Sequence, residues 1–180
     1  MTATVFEFDV NYWMMLKFNF KHPIKVDSEP AKYAFERFLL DTGMDEESRR
    51  IYWPGYCNSD YEVDYVDLEC RWQLNVQPDE RVIQQFILCV LHNYPVATMN
   101  GQFYARFFDC DEAIVMSKLW FEKNRLTEYA LTQSAVDWLV ESGSVYGKYF
   151  DVVSEALIDM YMDGNFMLGS VCEETTTVLY

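Results

Sequence analysis

Between residues 5 and 21 the apolar side chains Phe6, Phe8, Val10, Tyr12, Met14, Leu16, Phe18 and Phe20 all share one parity. An extended chain sends alternate side chains to opposite faces, so this run predicts a long strand with one buried side. Trp13 and Met15 lie on the other parity, which leaves the second face half covered near its middle. Pro23 has no amide proton to donate and is expected to end the ladder.

A second alternating segment covers residues 61–76. Tyr61, Val63 and Tyr65 are apolar at odd positions, and Val66, Leu68, Cys70, Trp72, Leu74 and Val76 at even ones. A single β-bulge at Tyr65 and Val66 returns all of them to one face, and then Asp60, Glu62, Asp64, Asp67 and Glu69 line the other. Between these strands, Asp27 to Pro30 provide an acidic, proline-bearing start for a helix carrying Ala31, Phe35, Phe38 and Leu39 up to Gly43. Residues 44–59 have no sustained period and contain Trp53, Pro54, Gly55 and Tyr56, which reads as an ordered excursion with a turn.

Pro78, Asp79 and Glu80 open a helix with an apolar stripe of Val82, Ile83, Phe86, Ile87, Val90 and Leu91, stopped by Asn93 and Pro95. Asn100 and Gly101 give the strongest hairpin signal in the chain. Residues 109–126 combine strand-forming Ile114 and Val115 with a cap-like Asp109 and Glu112 spacing, and the reading favours a helix. Further helices are expected over 127–142 and over 148–163, the latter terminated by Gly164, before a short edge strand in the tail from Thr175. The architecture expected for residues 1–180 is a single α+β domain, an antiparallel sheet packed by four to five helices.

The chain has 180 residues, of which 51% are hydrophobic and 17% aromatic, far too apolar for a disordered chain. At this length folding buries roughly 70% of the unfolded surface, so neither a disulfide nor a metal is needed for a core. Cys57, Cys70, Cys89, Cys110 and Cys172 form an odd set without short paired spacing. That suits reduced thiols in a cytoplasm, the host's if the source is viral, and argues against a zinc site. The start of the chain has no basic region followed by an apolar one, and no run approaches the ~20 apolar residues of a membrane span.

Charge is the dominant functional signal. With 29 acids against 14 Lys and Arg the net charge is −15, and residues 126–180 hold nine acids against Lys148 alone. Nucleic acid and anionic membranes both require cationic side chains, so direct binding to either is not expected, and any partner is expected to be basic. Asp151, Glu155, Asp159 and Asp163 follow at four-residue steps, which stacks them on one helix face about 6 Å apart. Like charges at this spacing cost about 0.2–0.5 kcal/mol per pair, so a helix gains nothing from the row itself.

Two regular rows of carboxylates point to a surface that imitates a nucleic-acid backbone and fills the basic groove of a nucleic-acid-handling protein. Phage proteins acting against restriction or CRISPR systems share this composition, as do immunity proteins that neutralise basic nuclease toxins. The bland counterpart is a solvated outer face that also guards a sheet edge. Trp53 and Tyr56 could stack on a partner or a sugar, or pin their loop to the core. Paired carboxylates also serve in small hydrolases, but nothing selects one pair, and no nucleophile elbow, phosphate loop, cofactor fingerprint or metal motif is present. The expected function is therefore a binding protein or inhibitor, without catalytic, cofactor or metal residues, whose contacts are the two acidic rows with Trp53 and Tyr56. A homodimer through the Trp13 and Met15 face is left open.

Overall fold

The alternation that dominates the N-terminal sequence is realised in β1 (Val10–Lys25), where Tyr12, Met14, Leu16, Phe18 and Phe20 are buried and the residues between them are half exposed. The computed structural model describes residues 10–25, 64–74, 80–107, 112–146 and 150–179. Along the chain β1 is followed by β2 (Asp64–Leu74), α1 (Glu80–Asn93), β3 (Val96–Phe107), β4 (Ala113–Glu122) and β5 (Arg125–Leu131). Then come α2 (Gln133–Tyr146), α3 (Phe150–Met162) and β6 (Cys172–Val178). The strands form one sheet in the order β2-β1-β3-β4-β5-β6, each antiparallel to its neighbours.

The sheet has two different faces. On one, Met14, Leu16 and Phe18 stand opposite Phe103, Gly101 and Met99, which in turn face Ser117, Leu119 and Phe121. Helix α1 packs here, with Phe86 edge-on to Phe18 at 6.3 Å between ring centroids. On the other face Met15 and Lys17 pair with Gln102 and Asn100, and these with Lys118 and Trp120. Helix α3 covers the β4 side of that face.

Three expectations are corrected. The described residues hold a six-stranded antiparallel sheet with three short α-helices, not a sheet packed by four to five. The segment read as a helix over 109–126 is strand β4, and the helix expected over 127–142 begins only at Gln133, after β5. Ile114, Val115, Met116 and Ser117 are buried in succession. A strand covered on both faces loses its alternation, and an isolated cap-like spacing then imitates a helix start.

The second correction concerns Asn100 and Gly101, which lie inside β3 and not in a turn. Gly101 is there because a Cβ would collide with Leu16 Cδ2 and stand 3.2 Å from Leu119 Cβ. The true hairpin is at Lys123 and Asn124, with φ of 50° and 62°, the left-handed pair that matches the twist of the strands it joins.

The third concerns the irregularity near Tyr65 and Val66. The register does shift there, but the extra residues are in β1: Asn19 pairs with Asp67 and Ile24 with Tyr65, so Phe20 to Pro23 span the gap opposite Val66. Pro23 thus interrupts the ladder instead of ending it, and Val66, expected on the buried row, is 64% exposed.

Helix α1, helix α3 and the edge strand β6 form where the sequence places them. Gly164, with φ 97°, closes α3: its amide bonds Tyr161 O at 3.0 Å and that of Asn165 bonds Met160 O at 3.0 Å. The expected helix over 27–43 and the excursion over 44–59 lie outside the described residues.

Candidate functional site

A buried hydroxyl ties helix α3 to the backbone of the sheet. The register between β3 and β4 slips by a residue, from Phe103 opposite Ser117 to Tyr104 opposite Val115, so Met116 is a bulge. The Val115 amide is turned to Ser154, which accepts it at Oγ at 2.9 Å and donates its own proton to the Phe150 carbonyl. Ser154 and Ile158 are fully buried beneath the helix. Phe150 packs on Phe107 and Tyr161 on Tyr129, at 5.9 and 6.4 Å between ring centroids.

This seating decides where the acidic row of α3 goes. Glu155 and Asp159 face the sheet, where Lys118 of β4 reaches both, 2.8 Å from Glu155 Oε1 and 2.6 Å from Asp159 Oδ1. Gln102 donates to the same Glu155 oxygen at 3.3 Å. Burial pulls the Lys118 ammonium down, but the hydrogen bonds to Asp159 and Glu155 and the charge of both carboxylates outweigh it, so its pKa stands above the ordinary lysine value. Asp151 and Asp163, at the two ends of the row, are exposed. The row is therefore two open carboxylates flanking a clamped pair, and the like-charge repulsion expected at its centre is offset by Lys118.

A further acid lies across the helix, on the β5 flank opposite Glu155 and Asp159, where the sequence did not reveal it. Tyr129 is opposite Glu174 of β6 in the ladder. The phenol of Tyr129 is pushed up by burial and further by the charges of Glu174 and Tyr161. Glu173 and Glu174 are both exposed on this edge strand.

On its other flank α3 borders a cleft of about 320 Å³, between Met15, Asn100, Gln102 and Trp120 of the sheet and Glu155, Asp159 and Met162 of the helix. Trp120 and Met162 remain 38% and 36% exposed. Beyond the cleft the same sheet face carries Trp13 stacked on Tyr104, 6.3 Å apart and nearly parallel. Neither Trp120 nor Met162 stands out in the sequence; each becomes visible only once β4 is known to be a strand with Trp120 at the border of the face that α3 covers.

The other proposed row is less open. Lys17 reaches Asp67 at 3.0 Å and stands opposite Glu69 in the ladder. Asp64 pairs with Lys25 in register. This part of the row therefore lies against a basic strand. Asp60, Glu62, Trp53 and Tyr56 lie outside the described residues.

Among the described residues no group of His, Cys, Asp and Glu is arranged to hold a metal ion. None of their helices is long and apolar enough to cross a membrane. Compared with protein families, with curated proteins and with solved structures, the chain matches none.

Proposed function

We propose that this chain is a binding protein that occupies a basic, nucleic-acid-binding surface of a partner protein. The observation that carries this reading is the exposed acid around α3, with Asp151 and Asp163 open at the ends of its row and Glu173 and Glu174 exposed on β6 across the helix, in a chain of net charge −15. Steps of about 6 Å along the helix approach twice the ~3.4 Å rise between phosphates of a nucleic-acid strand. A phage inhibitor of restriction or CRISPR machinery and an immunity protein for a nuclease toxin both meet a partner of this chemistry. The cleft beside the row, with Trp120 and Met162 at its rim, supplies apolar contact that charge alone cannot.

The test is capture of partners from the source cell at low and high salt, with nucleic acid as competitor. Association kinetics then follow for the variant Asp151→Asn, Asp163→Asn, Glu174→Gln, which spares the Lys118 clamp. Exposed charges act mainly on encounter, so the variant should associate about tenfold more slowly, with a shallower salt dependence and a smaller change in dissociation. Captured partners that nucleic acid does not displace, together with an unchanged association rate, would refute the reading.

A further inference from the structure

Helix α3 exposes more than its carboxylates. Val152 is 59% exposed and Met160 44%, and Ala156 between them is exposed as well. Steps of four residues make these three a single ridge over two turns, running beside the carboxylates at 151, 155, 159 and 163. The ridge is thus bordered by the clamped Glu155 and Asp159 along its middle and by the open Asp151 and Asp163 at its ends.

A face that only meets water gains nothing from this pattern. Val152 lowers the helix propensity, because its branched side chain is restricted against the preceding turn, and with 59% of its surface exposed it buries little in return. A ridge spaced at i, i+4 is the element that interdigitates with another helix, and Ala156 at its centre leaves a notch for close approach. Met160 and Met162, together with Met167, which is 94% exposed in the turn after α3, are flexible and polarisable, suited to moulding around a partner.

The charge beside the ridge selects the occupant. Lys118 engages Glu155 and Asp159 together, which leaves that pair with an excess negative charge and leaves Asp151 and Asp163 open at both ends. A helix packed on the ridge must therefore carry Lys or Arg along its own apolar stripe. An extended basic chain matches the acids but not the ridge, and an anionic lipid surface is repelled by both ends of the row. Building on the basic-surface reading above, we propose that the outer face of α3 docks a basic amphipathic helix of the partner, with Val152, Ala156 and Met160 forming the apolar seam.

The experiment uses the full chain and two fluorescein-labelled synthetic peptides of equal composition, each of about four helical turns' worth of Leu and Lys. One has its leucines at helical spacing; the other alternates leucine and lysine. Fluorescence anisotropy reads the affinity, and circular dichroism reads helix induction in the peptide. The helical peptide should bind at least about tenfold more tightly than the alternating one. The variant Val152→Asp, Met160→Asp should weaken it by a similar factor, although it adds two attractive charges. Its melting temperature controls for folding, and Val152→Ser, Met160→Gln repeats the test at constant charge.

Equal binding of both peptides, or undiminished binding to the Asp variant, overturns the docking proposal while leaving the basic-surface reading in place. Binding of neither peptide at low salt overturns both.

Discussion

Removing the Ser154 hydroxyl isolates the bond that seats α3 on the sheet. In Ser154→Ala the Val115 amide, now 2.9 Å from Oγ in a site where Val115 is 4% exposed and Ser154 fully buried, loses its acceptor with no water to replace it. An unmet buried amide costs about 1–3 kcal/mol, and the better helix propensity of Ala returns about 0.5 kcal/mol at most. The Phe150 carbonyl, which Ser154 also bonds, keeps its ladder partner in the helix, so no second penalty follows. The net loss should be about 2 kcal/mol, which for a chain of this size lowers Tm by about 4–8 °C. Urea unfolding gives the free energy, and hydrogen exchange at the Val115 amide gives the location. If the variant is as stable as the parent and that amide is as protected, the hydroxyl is not what holds the helix, and the bulge at Met116 needs another explanation.

Two further expectations concern the core. Gly101→Ala puts a methyl group against Leu16, which is fully buried, and Leu119, so it should cost about 1–3 kcal/mol by urea unfolding; unchanged stability would show that the close approach of these strands is not tight. Burial pushes the Cys172 thiol from 9.0 up to about 11. A pKa raised on folding gives stability that is complete below the unfolded value and lost as pH rises through the folded one, so about 2–3 kcal/mol should disappear between pH ~9 and ~11. Tyr12, raised by burial, adds to the loss at the upper end. Thermal melts across this range should fall less steeply for Cys172→Ala; identical curves would assign the loss to other groups.

The elements legible from sequence were those with a single environment. β1 has one buried face and shows a clean period of two; α1 and α3 have one buried stripe each and start or stop at recognisable residues. β4 was hidden because α3 covers one of its faces and the core the other, and the bulge at Met116 shifts its phase part-way along. The two turn signals misled in opposite directions. Asn100–Gly101 resembles a hairpin, but its glycine admits Leu16. Lys123–Asn124 is the hairpin, though only Asn hints at the left-handed backbone that Lys123 also adopts.

The acidic row of α3 was legible because four-residue spacing survives any tertiary context. Its division was not, since the cation that divides it comes from a strand distant in sequence. That division separates stability from attraction. The Lys118 side chain is 18% exposed, and its contacts with Glu155 and Asp159 are short and partly shielded, so dissolved ions screen them weakly. Asp151, Asp163 and Glu174 stand in water, where charges farther apart than a Debye length of about 8–10 Å cease to matter at physiological ionic strength. If the proposed basic partner is the right one, salt should weaken the pull on it long before it loosens α3 from the sheet. On the proposed reading, the partner is released as ionic strength rises while the face that would recognise it stays intact.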